Sequence, residues 1–208
     1  MNKKLGGVFL LFTVFSIGLL AIMLFFFSPS VKAPIAGLIM PAKAIPPFKL
    51  IDQNEQPFTE KHFKSEQWRL LFFGYTHCPD ICPTTLTMLQ SMKKQLSEKY
   101  AKDTQFIFVS FDEEFDTPAT LKSYLNFFDP AFVGLSGKIE NAEQLTKMLR
   151  VIYLKVPKKD SHLIDHTATL YLISPKGEWV ASFDPPFEPQ KLALHYQKIR
   201  DFLGEQHK

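Results

Sequence analysis

Residues 68–83 read WRLLFFGYTHCPDICP. The first half of this stretch, Trp68–Tyr75, is a nearly continuous apolar run that ends in a glycine and a tyrosine. Such a run, without alternation of polar residues, is typical of a strand buried on both faces of a parallel or mixed sheet. The second half carries both cysteines of the chain, Cys78 and Cys82. We therefore expect a thiol pair in the loop after a core strand, where open α/β sheets place their sites.

The rest of the chain alternates between strand-like and helix-like segments. Apolar runs predict further strands over residues 48–52, 105–111, 151–156, 169–173 and 178–183, the last two as a hairpin. Helical periodicity predicts helices from Pro83 to about residue 99, from Pro118 to 128 with Asp116 or Thr117 as the cap, and over 141–150 and 189–203. This order predicts an α/β fold, a thioredoxin-like sandwich with a central mixed β-sheet flanked by helices.

The N-terminal region has the pattern of a membrane anchor. Residues 5–27 carry no charge and are long enough to cross a bilayer as a helix, while Lys3 and Lys4 precede them. We expect a cytoplasmic N-terminus at 1–4, one transmembrane helix at 5–27, a proline-rich tether at 28–47 and a folded domain at 48–208. A cleaved signal peptide is the alternative, with Val31-Lys32-Ala33 as a loose cleavage site, but the apolar segment is too long and Pro34 would follow the cut.

Composition excludes one class of partner and restricts the role of the cysteines. The 208 residues include 24 Lys and Arg against 21 Asp and Glu, and the positive residues are dispersed, so no nucleic-acid footprint is visible. A chain this long buries its own core, and a five-residue ring constrains the unfolded chain very little, which argues against a purely structural disulfide. After export to an oxidising compartment, the thiols would need a reductant or a bound metal.

The spacing of Cys78 and Cys82 suits two kinds of chemistry. Residues four apart on a helix have Cβ atoms roughly 5–6 Å apart on one face. A helix N-terminus also stabilises thiolates, which are the nucleophilic and metal-binding form of cysteine. The pair is therefore either a redox couple or two soft ligands for Cu(I) or Zn(II), and a third ligand would distinguish the two.

The candidates for that third ligand are the six histidines. His166 lies between Asp165 and Thr167, just before the predicted strand at 169–173, and either binds a metal or forms a structural hydrogen bond at a strand start. His162, four residues earlier, is a second candidate, and His77 is too close to Cys78 for easy chelation by all three side chains. The remaining histidines offer nothing specific and are explained as surface residues: His62, His195 and His207.

Two sequence motifs together carry a specific resemblance. They are GYTHCPDICPTTL at 74–86 and DHTATLYL at 165–172, the second followed by Pro175-Lys176-Gly177. With Asp112, Asp116-Thr117-Pro118 and the N-terminal anchor, they resemble the SCO/SenC family of copper-binding cytochrome oxidase assembly proteins from about Pro46 to the final helix. The chain departs from the family pattern at Phe115, where an arginine is usual, and near Glu55, where a glycine is usual.

The resemblance implies a copper site made of Cys78, Cys82 and His166, holding Cu(I) and, through the imidazole, also suited to Cu(II). It implies a membrane-anchored chaperone that delivers copper to the CuA site during cytochrome c oxidase assembly. Its partners would be the CuA-bearing subunit of a haem-copper oxidase, a periplasmic copper donor and a thiol reductant. Its place would be the bacterial inner membrane with the C-terminal domain in the periplasm, or the equivalent mitochondrial inner membrane facing the intermembrane space.

Other functions remain open from the residues alone. The main alternative is a thiol-disulfide reductase, with Cys78 and Cys82 as the catalytic pair, that keeps the CuA-site cysteines reduced. A peroxide-reducing thiol enzyme and a redox or copper sensor are weaker alternatives. The acidic loop formed by Asp112, Glu113, Glu114 and Asp116 either docks a partner or is a solvated loop with a helix cap.

Overall fold

A computed structural model describes residues 15–19, 23, 35–158 and 161–205. The chain divides into two compact units, residues 1–32 and 33–208. In the first unit, residues 15–19 and 23 are helical. The predicted cytoplasmic segment at 1–4, most of the predicted anchor at 5–27 and the first part of the predicted tether, 28–34, lie outside the described residues. Within the described part of the chain, no helix has both the length and the apolar character needed to cross a membrane.

The second unit contains ten strands and five α-helices among its described residues. The strands are β1 Leu38–Ala44, β2 Lys49–Asp52, β3 Pro57–Thr59, β4 Trp68–Gly74, β5 Thr104–Ser110, β6 Val133–Ser136, β7 Tyr153–Lys158, β8 Ser161–His166, β9 Leu170–Ile173 and β10 Glu178–Phe183. The helices are α1 Ile81–Gln95, α2 Glu98–Ala101, α3 Pro118–Phe128, α4 Glu143–Leu149 and α5 Pro189–Glu205, with 3-10 turns at Glu60–Phe63 and Ile139–Ala142.

Eight of the strands form one mixed sheet in the order β1-β10-β9-β4-β5-β6-β2-β3. The pairs β4–β5 and β5–β6 are parallel, whereas β4–β9 and β9–β10 are antiparallel. Helix α1 contacts α5 and α3, and α3 packs against β6. The predicted thioredoxin-like α/β fold with a central mixed sheet is confirmed.

Strand β4 lies at the centre of the sheet because its sequence leaves no polar face. Its residues Leu70, Leu71, Phe72 and Phe73 are all 0% exposed. Successive side chains of a strand point to opposite faces, so both faces of the sheet are covered at β4. Each such side chain contributes roughly 1.5–3 kcal/mol through burial. This core holds the carboxyl end of β4, and the loop that follows it, in a fixed position.

The structure corrects several predicted element boundaries. Part of the predicted tether is strand β1, which pairs with β10 at the edge of the sheet. An edge strand tolerates a proline such as Pro41, because the missing N–H donor removes no hydrogen bond from the ladder. Helix α1 begins at Ile81, so Pro83 is its third residue and not its first, and it ends at Gln95 because Leu96 adopts an extended backbone. The short strands β3, β6 and β8 were not predicted.

The predicted strand at 151–156 is also displaced, to residues 153–158. It is β7, which pairs with β8 in a two-stranded hairpin hydrogen-bonded separately from the eight-stranded sheet. We refer to β7 and β8 together as the hairpin. Glu55, near which the family pattern has a glycine, has a φ of 64°. A side chain in this left-handed region costs roughly 1–2 kcal/mol, which explains the glycine preference.

Candidate metal centre

The two cysteines lie at the junction of β4 and α1. Cys78 is in the connecting loop and partly exposed, whereas Cys82 is the second residue of α1 and 0% exposed. The backbone N–H of Cys82 donates to Sγ of Cys78 over 3.3 Å. The start of the helix therefore supplies a donor to the more accessible sulfur, as predicted for a thiolate at a helix N-terminus. Both cysteines are free thiols in this structure.

Gly74, the last residue of β4, allows Cys82 to approach the strand. A Cβ atom built on Gly74 would lie 2.6 Å from Sγ of Cys82 and 2.9 Å from the Phe108 ring. Real Cβ atoms do not come this close to their neighbours, so only glycine leaves room for the buried sulfur. The sequence places Gly74 at a strand end but does not reveal this contact.

His166 completes the cluster from the other side. It is the last residue of β8, a strand end instead of the predicted loop position. Its Nε2 lies 3.4 Å from Sγ of Cys82, and its Nδ1 lies 2.9 Å from the carbonyl oxygen of Thr167. A carbonyl only accepts hydrogen bonds, so the Nδ1–H donates to it, and Nε2 is the ring nitrogen that faces the sulfurs.

Aromatic rings hold this imidazole in place. The centroids of Phe72, Tyr75 and Phe111 lie 6.1, 6.2 and 5.5 Å from that of His166. The ligand atoms of Cys78, Cys82 and His166 all lie within 4.8 Å of one another. The structure therefore brings together the three residues that the sequence selected, although no motif spacing alone links residues 82 and 166.

The electrostatic environment makes the two thiols unequal. The pKa of Cys78 is lowered from 9.0 to about 4, mainly because the Cys82 side chain donates a hydrogen bond to it, with a smaller contribution from His166. The pKa of Cys82 is raised, first because it donates that hydrogen bond and second because it is buried. Cys78 is therefore the accessible thiolate, and Cys82 is the buried thiol.

Tyr124, on α3, is close enough to interact electrostatically with both sulfurs. Its hydroxyl is buried and has no hydrogen-bond partner among the described residues. Burial raises its pKa, and a negative charge on either sulfur raises it further. This phenol was not singled out from the sequence, where it was only one residue on the apolar face of a predicted helix.

The other histidines do not join the thiol cluster as far as their side chains are described. His77 is exposed, stands 5.4 Å from the Phe115 ring and has ligand atoms within 4.8 Å of those of Asp112 and Asp116. His62 bonds locally to Thr59, and His195 bonds to the carbonyl of Ala36. His162 pairs with Pro157 in the hairpin, but its side chain, like all of His207, lies outside the described part.

Of the two residues predicted as possible caps of α3, Thr117 is the cap, and Asp116 is buried behind it. The cap of α3 is Thr117, whose side chain accepts from the N–H of Thr120, whereas Asp116 is 1% exposed. Its carboxylate accepts from the N–H of Thr76 at 3.0 Å, from the hydroxyl of Thr76 at 2.5 Å and from the hydroxyl of Ser110 at 2.5 Å. Burial raises its pKa, and the bonds from Ser110 and Thr76 oppose that shift. Asp116 thus ties the cysteine loop to the end of β5.

The folded unit of this chain resembles known proteins over most of its length. A family model described as SCO1/SenC matches residues 38–201, beginning at the first residue of β1. A protein of Stutzerimonas stutzeri is 37% identical over 166 residues, which cover 79% of this chain and 81% of that protein. The mitochondrial protein SCO2 of Saccharomyces cerevisiae is 36% identical over 159 residues, covering 74% of this chain and 51% of that protein. The chain thus spans only about half the length of this relative.

A solved structure resembles the folded unit as well. The copper-bound crystal structure of ScoI from Arabidopsis thaliana superposes with a TM-score of 0.70 at 32% sequence identity. The match covers 75% of this chain and 97% of that one.

Proposed function

The chain belongs to the SCO1/SenC family, and we propose that it is a copper chaperone that serves cytochrome c oxidase assembly through Cys78, Cys82 and His166. One observation carries the proposal: two sulfurs from the junction of β4 and α1 and an imidazole nitrogen from the end of β8 lie within 4.8 Å of one another. The relative from Arabidopsis thaliana holds copper in the same fold.

The donor set fits copper better than it fits a hard cation. Thiolates are soft ligands that favour Cu(I), and imidazole suits both copper oxidation states. The hydrogen bond from Nδ1–H to the Thr167 carbonyl orients the His166 ring so that Nε2 is the nitrogen available to the metal. Copper is the cargo here, and three protein ligands leave a position open for a ligand of the acceptor.

The unequal exposure of the two thiols is suited to the transfer of copper to an acceptor protein. Cys78 is partly exposed and Cys82 is buried, so an incoming ligand reaches the metal from the side of Cys78. Copper passes between ligand sets without oxidation or reduction, since each bond released on this chain is replaced by one on the acceptor. Protons lost by the acceptor's thiols are balanced by protons taken up here through solvent.

We also propose the location and partners that the sequence predicts. Residues 5–27 would anchor the chain in the bacterial inner membrane, or in the equivalent mitochondrial membrane, with the folded unit in the periplasm or intermembrane space. The acceptor would be the CuA-bearing subunit of a haem-copper oxidase. A copper donor and a thiol reductant would act before it, because free thiols do not persist in an oxidising compartment unaided.

A second function is supported by the inequality of the two thiols. An accessible thiolate beside a buried thiol is the arrangement of a dithiol reductase, in which Cys78 attacks a disulfide and Cys82 resolves the mixed disulfide. In that reaction the substrate disulfide is reduced to two thiols, and Cys78 and Cys82 are oxidised to a disulfide. His166 distinguishes the two functions, because thiol exchange requires no third metal ligand.

Deletion of the gene followed by chemical rescue tests the proposal. If the chain delivers copper, added copper restores oxidase assembly in the deletion strain, and a His166→Ala variant does not complement. If added reductant rescues assembly while added copper does not, and His166→Ala complements fully, the reductase function replaces the chaperone function.

A further inference from the structure

The segment 111–116 lies between the two halves of the metal centre. It leads from the end of β5 to the start of α3. On the cysteine side, the N–H of Phe111 donates to the carbonyl of Gly74 at 2.9 Å, and the carboxylate of Asp116 accepts from both the N–H and the hydroxyl of Thr76. These three hydrogen bonds fix the segment against the end of β4 and against the loop that carries the first cysteine.

The inner face of the hairpin rests on the same segment. Tyr153 pairs with His166, and Lys155 pairs with Ile164. Paired residues of antiparallel strands point to the same side, so these four side chains share one face. The ring of Tyr153 stacks on Phe111 at 4.7 Å, and Ile164 is 4% exposed, which identifies this face as the one turned toward the folded unit.

Lys155 adds a charged contact to this face. Its Nζ lies 3.2 Å from Oε2 of Glu114 and 3.8 Å from Oδ1 of Asp112. The side chain of Lys155 is 47% exposed, whereas that of Asp112 is 1% exposed. Solvent and salt therefore screen the pair with Asp112 less than they would screen a pair between two exposed side chains. Lys155 thus joins β7 to two residues of the 111–116 segment.

The hairpin depends on such side-chain contacts for its position. Its strands pair with each other and not with the eight-stranded sheet, and the N–H of Thr167 closes its base by donating to the carbonyl of Ile152 at 3.0 Å. No ladder hydrogen bond therefore sets the distance between the hairpin and β4. Nε2 of His166 lies 3.4 Å from Sγ of Cys82, and metal sites hold their ligand distances within roughly 0.2 Å. A small shift of the hairpin consequently decides whether the imidazole reaches the metal.

Building on the proposed chaperone function, we propose that Lys155 is a positioning residue for copper binding, whose ion pairs to Glu114 and Asp112 hold His166 beside the two sulfurs before the metal arrives. The 111–116 segment is then a common support for both halves of the site. Asp116 fixes the cysteine loop on one side of it, and Lys155 fixes the hairpin on the other. A ligand that is already in place loses little freedom when the metal binds, so the ion pairs raise copper affinity without touching copper.

A double-mutant cycle with the full chain in phosphatidylcholine nanodiscs tests this role. The cycle compares the wild type, Lys155→Met, His166→Ala and the variant with both changes, and competition with a chromogenic Cu(I) chelator gives the Cu(I) affinity of each reduced chain. We expect Lys155→Met to weaken Cu(I) binding about three- to tenfold and His166→Ala to weaken it more. The double variant should bind as His166→Ala does, because a displaced hairpin has no effect once it carries no ligand.

A second readout needs no copper. In the metal-free reduced chain, amide hydrogen exchange in β7 and β8 should be about three- to tenfold faster in Lys155→Met, while exchange in β4 is unchanged. Lys155→Arg retains the charge and should restore both exchange and Cu(I) affinity. The matched control is Lys191→Met: Lys191 lies 2.7 Å from Glu188, which is as exposed as Glu114, but that pair joins residues only three apart and should leave both readouts at wild-type values.

The outcomes separate the inference from the function on which it depends. If His166→Ala binds Cu(I) as tightly as the wild type, the proposed copper site fails, whatever Lys155 does. If His166→Ala weakens binding but Lys155→Met does not, or if Lys155→Met weakens it equally with and without His166, only the positioning role is overturned. Should Lys155→Met fail to fold, Glu114→Gln removes the partner at 3.2 Å and should give a smaller loss that again requires His166; a loss independent of His166 overturns the role.

Discussion

Replacement of Gly74 by alanine should disturb the metal site while the chain still folds. The added Cβ would lie 2.6 Å from Sγ of Cys82 and 2.9 and 3.1 Å from two Phe108 ring atoms. Non-bonded heavy atoms prefer about 3.5–4.0 Å, so the sulfur has to move by roughly 1 Å. Cysteine has one rotatable bond and α1 is packed, so the sulfur cannot retreat without shifting the helix start.

The displacement should affect copper affinity and stability to different degrees. Metal sites hold their ligand distances within roughly 0.2 Å, and disturbing the residues behind a ligand costs about 10–100-fold in affinity. Overpacking a core position costs about 1–3 kcal/mol of stability. We therefore expect Gly74→Ala to fold, to unfold at a lower denaturant concentration and to bind Cu(I) about 10–100-fold more weakly in competition with a chromogenic Cu(I) chelator.

Gly134→Ala provides the control for overpacking. A Cβ there would lie 2.8 Å from Leu125 and 3.1 Å from Leu121, away from both sulfurs, so it should lower stability similarly and leave Cu(I) affinity unchanged. Wild-type Cu(I) affinity in Gly74→Ala would refute the reasoning, because it would show that the buried sulfur beside β4 is not a copper ligand.

Two further predictions concern the cysteine loop. In the metal-free reduced protein, iodoacetamide should modify Cys78 at a nearly constant rate from about pH 9 to 5, and the rate should fall as the pH drops through the Cys78 pKa of about 4. Cys82, which is buried, should stay unmodified. Mass spectrometry measures the labelling, and equal labelling of the two cysteines would contradict this prediction. Asp116→Asn should lower the free energy of unfolding, measured by urea denaturation, by about 1–3 kcal/mol, because an amide nitrogen cannot accept a hydrogen bond from Thr76 or Ser110. The control is Asp80→Asn at an exposed position, which should change the free energy of unfolding by less than about 0.5 kcal/mol.

Local sequence pattern was sufficient for the core of the fold. The unbroken apolar run in β4 requires burial on both faces, and the helix that follows it needs its periodic leucines on one side, so the placement of the cysteines could be predicted. The elements that were missed are those in which the pattern is weak. β8 reads Ser-His-Leu-Ile-Asp-His, and β1 contains Pro41 and lies at an edge where few side chains are buried.

The site was only partly predictable for a related reason. Cys78 and Cys82 identify themselves by spacing, but His166 could be chosen among the histidines only through the resemblance of its motif, since nothing local links it to residue 82. The hydrogen bonds of Asp116 to Thr76 join residues that are 40 positions apart in sequence. The close approach of the Cys82 sulfur to Gly74 depends on the absence of a side chain at Gly74. Such contacts emerge only when the sheet is assembled.

X-ray absorption at the copper edge of the fully reduced, copper-loaded chain tests the central claim most directly. The account predicts one copper per chain with two sulfur scatterers and one imidazole nitrogen, and it predicts that His166→Ala removes the nitrogen while the sulfurs remain. The same spectrum in wild type and His166→Ala, or a wild-type site without two sulfurs, would contradict it.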